Sequence, residues 1–367
     1  MQSDVKRGRI FIRFLLRGMV MLGTLLVVAV VTLFLSLDML CSSTYPYVQR
    51  TFVTTILETG QLKFLASWFL SADEIQEIVN QNSMKELKAE VNTNLIQTSG
   101  NFASIDIQTD TIPAADTEEE DIEIFEVAGG TFSGTMMIVK DPSRISLATI
   151  YPWREKGVTL DELVTSNGAI AGVNGGLYKS SNNTGGEPSG VLVSNGRILY
   201  NKPREYAGLV LIGFTEENIL QIIDVSKMTS AEVETMVTEM KIRDAVCFQE
   251  EASDANNHFV QLIINGEARE MNGMGSGLNP RTAIGQRADG AVLLFVTDGR
   301  GKSGHLGASS SDLIAVMQEY GAVNAANLDG GSSSCMYYDG EYLMSSVTFY
   351  YANSSWRLPA AFIIKNS

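Results

Sequence analysis

Histidine, cysteine and positive charge are scarce in this chain. Its 367 residues include only 2 His and 3 Cys. Three cysteines exclude a disulfide scaffold. Two histidines argue against a His-rich zinc centre, because three-ligand catalytic zinc usually leans on imidazole. The 27 Lys and Arg are outnumbered by 42 Asp and Glu, for a net charge of −15. That balance excludes nucleic acid as a partner, since phosphate backbones need a basic surface. The length allows one large or two ordinary domains, with enough chain for a real core.

The charge is unevenly placed. Residues 1–17 carry Lys6, Arg7, Arg9, Arg13 and Arg17 against Asp4, a net of +4, so the remainder carries −19. Residues 18–37 (GMVMLGTLLVVAVVTLFLSL) have no charge at all. Twenty helical residues span about 30 Å, the hydrocarbon thickness of a bilayer. This predicts a transmembrane anchor with a basic cytoplasmic tail and the bulk of the chain outside. A cleavable signal peptide is the competing reading, but the run continues into Asp38-Met39-Leu40-Cys41 with no small-x-small site. The same residues fit poorly the small-residue pattern of a lipoprotein, so Cys41 reads as an interfacial cysteine.

Residues 45–92 read as a helical stalk. Ser71-Ala72-Asp73-Glu74 has the form of a capping box, and Ile75, Ile78, Val79, Leu87 and Val91 follow at near-helical spacing. That apolar stripe needs a partner, either the 47–70 segment or a second chain, which would make a homodimer. Residues 93–121 turn polar and end in Thr117-Glu118-Glu119-Glu120-Asp121, which reads as an acidic linker. Seven acids fall between Asp116 and Glu126, so much of the exterior charge belongs to a solvated tether.

From 122 to 367 the chain is Gly-rich and strand-rich. Strands are expected at 134–139, 144–150, 169–173, 190–194, 208–213, 260–264, 291–297 and 360–364. Helices are expected after the capping box Thr229-x-x-Glu232 and over about 311–320, closed by Gly321. The fold class is α+β: a mixed β-sheet core with a few flanking helices, preceded by the transmembrane helix and the stalk.

Three segments put polar residues at strand ends: Asn174-Gly175-Gly176-Leu177-Tyr178, Arg281-Thr282-Ala283-Ile284-Gly285 through to Asp298-Gly299-Arg300, and Asn327-Leu328-Asp329-Gly330-Gly331-Ser332-Ser333. Each alone reads as a turn, because Gly accepts positive φ. Together they suggest a rim. If the strands ending at Asp298 and Asp329 are neighbours, two carboxylates meet there. Arg281 would hold an anion, and glycines would let a ligand approach the backbone. Two carboxylates and an Arg suit hydrolysis of a glycosyl phosphate.

Taken in this order, the three segments resemble the phosphodiester glycosidase family over roughly 125–367. The resemblance implies an enzyme that cleaves a sugar, GlcNAc-like, from a sugar-1-phosphodiester. It implies catalytic roles for Asp298, Asp329 and Arg281. It implies substrate contacts from Asn174, Gly175, Gly176, Thr282, Arg300, His305, Asn327, Gly330, Gly331 and Ser333. The chain departs from the family at Leu177-Tyr178, where Phe-Phe is common, and at His305, where Ser is common. His305 reads either as a loop residue or as a hydrogen-bond donor and proton shuttle. His258 reads as a loop tip. Glu187 reads as a surface loop or a third carboxylate. Cys247 and Cys335 read as buried thiols, with pairing in an oxidising exterior as the other reading. No cofactor is required. An acidic, Asn-rich rim offers Ca2+-type oxygen ligands, but no EF-hand spacing occurs. The expected substrate is a cell-surface phosphoglycan such as a teichoic-acid-like or capsular polymer. A non-catalytic phosphoglycan-binding or envelope-assembly module, and a phosphodiesterase cutting the P–O bond, are the competing functions.

Overall fold

The computed structural model describes residues 2–59, 62–85, 87, 89–97, 121–180, 183–252, 257–345 and 354–366. Most of the expected linker, 98–120, lies outside the described residues.

Three sheets share one core. The first has seven strands in the order β1-β2-β15-β14-β16-β12-β13. These are β1 (Ile122–Ala128), β2 (Ser133–Val139), β12 (Gln261–Ile264), β13 (Glu267–Ala268), β14 (Thr282–Arg287), β15 (Val292–Thr297) and β16 (Ala322–Asn327). The second runs β18-β17-β4-β19-β3, from β3 (Ile145–Thr149), β4 (Ala169–Asn174), β17 (Cys335–Tyr338), β18 (Glu341–Ser345) and β19 (Ala360–Lys365). The third runs β6-β5-β9-β7-β8, from β5 (Val191–Ser194), β6 (Arg197–Asn201), β7 (Leu209–Thr215), β8 (Leu220–Asp224) and β9 (Ile242–Gln249). A short pair, β10 (Glu251–Ala252) and β11 (Asn257–His258), stands apart.

Alternation along each strand explains the layers. In β15, Val292, Leu294 and Val296 face the shared core, while Leu293 and Phe295 face helix α7 (Ser310–Glu319). In β19, Phe362 and Ile364 face the shared core, while Ala361 and Ile363 meet α5 (Leu160–Ser166). In β7, Val210, Ile212 and Phe214 face inward, while Leu209 and Leu211 meet α6 (Ser230–Glu239). Burial on both faces is why these strands read as unbroken apolar runs. All eight expected strands form, as do both expected helices, and the expected α+β class holds. The capping boxes at Ser71 and Thr229 are present, and Gly321 follows α7 with φ +80°.

The N-terminal region differs from the expected stalk. Helix α1 (Gln2–Cys41) includes a largely exposed stretch, Ile12–Cys41, with an 18-residue window of mean hydropathy 2.7, long and apolar enough to cross a membrane. It fits a single-pass membrane or signal anchor. Three short helices follow: α2 (Pro46–Leu57), α3 (Phe64–Phe69) and α4 (Ala72–Asn80). Residues 45–92 are helical in these pieces up to Asn80, and the stripe meets one of its two expected partners, the 47–70 segment. Beyond Asn82 the chain runs along the β-rich domain, where Lys85 N–H donates to Glu270 O and Met84 bridges to Met271. The apolar stripe of α4 (Ile75, Ile78, Val79) is buried against Val53, Ile56 and Leu57 of α2, within the same chain.

Helix α2 also docks on the β-rich domain. Leu278 N–H donates to Thr55 Oγ1. A Cβ at Gly277 would lie 2.4 Å from the carbonyl oxygen of Thr54, so only glycine permits this approach. We predict that Gly277→Ala loosens α2, lowering protection of the 46–57 amides by about 1–3 kcal/mol. Hydrogen exchange on the full chain, with β7 as internal reference, checks this.

Candidate active site

The strand ends create the rim. Strands β15 and β16 each pair antiparallel with β14, so they run parallel and end at the same sheet edge. The condition that they be neighbours is not met: β14 lies between them, which puts their ends about 10 Å apart. Asp298 and Asp329 follow these ends and turn to different partners.

Asp298 is buried. Its Oδ1 accepts from Ser133 N–H at 2.8 Å, and its Oδ2 meets His305 Nδ1 at 2.6 Å. Asp298 thus fixes the imidazole ring, and His305 stays about one-third exposed, at 31%. The orientation leaves Nε2 for contacts outside the pair.

Asp329 heads the second cluster. Its carboxyl is hydrogen-bonded by Ser333 and by the Gly330 amide, with the Arg300 guanidinium near enough to act on its charge. Burial dominates these stabilising contacts and pushes the carboxyl up to about 7. Ser333 Oγ also meets Tyr178 OH at 3.0 Å, so the Tyr that departs from the family pattern lies in the site. Arg300 donates to Asn279 Oδ1 at 3.2 Å and to Ser332 Oγ at 2.6 Å. Its guanidinium lies over Gly331, where a Cβ would stand 2.6 Å from Nη2 and where φ is +63°. Burial lowers the pKa of Arg300, while Glu58 and Asp329 oppose that shift.

Several expected substrate contacts are engaged within the protein. Asn174 is fully buried. Its Nδ2 donates to Asp329 O at 2.6 Å, and its Oδ1 accepts from Thr282 Oγ1 at 2.7 Å and Cys335 N–H at 3.2 Å. It positions the Asp329 turn instead of facing a ligand, and Thr282 is buried with it. Gly175 O accepts from Asp329 N–H, and Gly176 lies against Cys247 of β9. Asn327 Nδ2 donates to Phe259 O at 3.0 Å, which holds this side chain in the scaffold. The amides expected to hold an anion also have partners: Gly330 N–H serves the Asp329 carboxyl, and Gly331 N–H donates to Pro280 O.

Arg281 lies deeper than its expected role suggests. It was expected to grip a phosphate, yet its side chain is only 2% exposed. It pairs with Glu58, at the C-terminal end of α2, and also donates to Ser276 Oγ, Gly277 O and Ala308 O. Glu58 is itself fully buried and also accepts from Gly277 N–H at 2.6 Å. Burial drives the Glu58 carboxyl up to about 7, with Arg281 and the Gly277 amide pulling the other way. Glu58 is the residue that the sequence reading missed; its only local signal is a lone acid closing an apolar run. His258 is not a free loop tip. It packs edge-on against Phe248, and burial, Arg281 and Lys63 push its pKa down to about 4, so it is neutral at pH 7.

Elsewhere, Glu187 binds Lys179 and Tyr200, and Cys247 and Cys335 are buried free thiols. Among the described residues, no group of three or more His, Cys, Asp or Glu is placed to hold a metal ion.

Residues 167–365, which run from before β4 through β19, match the family model described as phosphodiester glycosidase. The chain belongs to the phosphodiester glycosidase family. The family makes it a hydrolase. The chain is 24% identical over 248 residues to mouse N-acetylglucosamine-1-phosphodiester alpha-N-acetylglucosaminidase, covering 63% of this chain and 44% of that protein. It is 38% identical over 65 residues to the SPbeta prophage-derived uncharacterized protein YomE of Bacillus subtilis, covering 18% of this chain and 10% of that one. The chain thus spans less than half the length of these curated relatives. Among solved structures, the auto-inhibited catalytic domain of the zebrafish N-acetylglucosamine-1-phosphodiester alpha-N-acetylglucosaminidase aligns at 19% identity and TM-score 0.47, covering 67% of this chain and 82% of that one. A hypothetical protein from Synechocystis aligns at 17% identity and TM-score 0.40, covering 66% and 61%.

The Glu58–Arg281 pair makes two measurable claims about this phosphodiester glycosidase. Glu58→Ala leaves a buried guanidinium without its carboxylate and should cost about 3–5 kcal/mol. The raised carboxyl pKa makes the second claim, with this sign: the unfolded chain releases the Glu58 proton near 4.5 and the folded chain near 7, so stability falls as pH rises between them. Glu58→Gln should flatten that fall by roughly 2–3 kcal/mol. Urea denaturation of the full chain in detergent at pH 4.5 and 7.5 checks both.

Proposed function

We propose that this chain is a membrane-anchored hydrolase that releases a sugar, GlcNAc-like, from a sugar-1-phosphodiester of a cell-surface glycan. Its basic N-terminal tail lies in the cytoplasm and its catalytic domain outside. Family membership and the name of the mouse relative support the bond class. The basic residues ahead of the apolar helix support the orientation. One observation carries the chemistry: the Asp329 carboxyl, held near neutrality, sits beside the Arg300 guanidinium at the rim.

In this reading Arg300 binds the phosphate and stabilises the charge that gathers on it as the bond to the anomeric carbon breaks. Asp329 takes the proton from the attacking water. A carboxylate with a pKa near 7 is basic enough for this at neutral pH and is still mostly ionised above it. The water oxygen joins the anomeric carbon, the C–O bond breaks, and the electron pair leaves with the phosphate monoester. That leaving group is good, so the demand for a strong general acid is small. His305, oriented by Asp298, is the group placed to move a proton at the outer edge of the rim. Arg281 fastens α2 and leaves phosphate binding to Arg300.

The test is release of free sugar from a GlcNAc-1-phosphodiester by the full chain in detergent. We expect kcat/KM to rise with pH through about 7 as one group deprotonates, falling about tenfold per unit below it. Asp329→Asn should lower kcat/KM by about 10²–10⁴-fold and abolish that titration. A release rate unchanged in Asp329→Asn, or sugar phosphate as the product, contradicts the assignment.

A further inference from the structure

The module that carries Glu58 has an outer face made of aromatic and aliphatic side chains. Tyr45, Tyr47, Val48, Leu62, Phe64 and Trp68 are 42–67% exposed. Phe64 and Trp68 stand one turn apart on α3 and touch edge to face, with ring centroids 4.9 Å apart. Residues 42–70 contain only three charges, Arg50, Glu58 and Lys63, and Glu58 points inward to Arg281.

One contact fixes what this face meets. Phe69, the last residue of α3, packs against Phe34 of α1 with ring centroids 5.1 Å apart and the rings tilted by 45°. Phe34 lies inside the uncharged run 18–37, three residues before its end, which is about 5 Å of helix. If that run spans the hydrocarbon, α3 is held at its edge, at the depth where Trp and Tyr concentrate in membrane proteins. The junction is rigidly packed: Cys41 at the end of α1 is buried with Val53, Ile56 and Ala66, and Cys41 O accepts from Gln49 at 2.7 Å. The exposed aromatic face is therefore continuous with the surface of the span.

We propose that α3 and the start of α2 lie in the outer interface of the bilayer as a second membrane contact. The same module touches lipid on one side and the active-site wall, through Glu58 and Arg281, on the other. The rim is thereby seated against the headgroups, and the preferred substrate is a glycosyl phosphodiester presented at a membrane surface. This rests on the reading of residues 18–37 as a membrane anchor.

The experiment reconstitutes the full chain in liposomes made with phosphatidylcholine brominated on one acyl chain and compares tryptophan quenching in wild type and Trp68→Phe. We expect the wild type to be quenched and Trp68→Phe to lose that component, since Trp153 and Trp356 lie in the catalytic domain. Flotation after a carbonate wash reports on the anchor. A chain that does not float overturns the anchor reading and the proposal with it. A chain that floats but shows equal quenching in both proteins overturns the proposal and leaves the anchor standing. A second arm replaces Phe64 and Trp68 with Ser. We expect about a tenfold loss of turnover on a lipid-linked glycosyl phosphodiester in vesicles and none on a water-soluble one. Equal loss on both, or on neither, overturns the proposal.

Discussion

The side-chain amide of Asn174 ties this structure together. It ends a strand of the second sheet, accepts from Thr282 in the first, and holds the carbonyl of Asp329 at 2.6 Å. Three residues later, Leu177 N–H donates to Cys247 O in the third sheet. A buried amide whose donor and acceptor are both satisfied across sheets specifies their arrangement, because leaving either group unpaired costs desolvation without return. Asn174 shares the Asp329 turn with backbone bonds from Leu328, Asp329 and Gly331, and its side chain adds the link that spans two sheets.

The second constraint comes from far away in the chain. Glu58 and Arg281 are 223 residues apart and pair in the interior. Removing two charges from water is costly, and their mutual attraction with added hydrogen bonds must offset it. Ser276, Gly277 and Ala308 supply those bonds. The pair fastens the N-terminal helices to Arg281 at the head of β14, so the region that reads as a spacer in the sequence is packed onto the domain that holds the candidate site.

Much of the fold was legible because burial on two faces leaves a plain signature. Runs such as Val292–Thr297 and Leu209–Thr215 are apolar throughout and form strands. Two of the strands missed, β14 and β16, place small or polar residues inward, whereas β8 and β9 bury Leu220, Ile222, Val246 and Phe248 in the shared core. Strand β16 is AVNAAN, and β14 carries Gln286, fully buried because it donates to Asn218 O and Gly290 O and accepts from Leu220 N–H. Such polar burial depends on partners that no local pattern reveals. Helix α5 has a capping box, Thr159 with Glu162, but only seven residues in which to show a period. At the site, the motif residues were legible and their internal partners were not. Asn174, Thr282, Asn327 and Arg281 look like ligands from their types, and in three dimensions each is buried with partners inside the protein.

Net charge is a poor guide to this rim. The chain is acidic overall, yet the guanidiniums of Arg281 and Arg300 lie within range of each other and of Asp329 or Glu58. The local arrangement suits an anionic substrate. The account stands or falls on which bond breaks there. Hydrolysis of a GlcNAc-1-phosphodiester in ¹⁸O-labelled water measures this directly. Attack at the anomeric carbon beside Asp329 predicts label in the released sugar hydroxyl and none in the phosphate. Label in the phosphate would mean P–O cleavage and would contradict it.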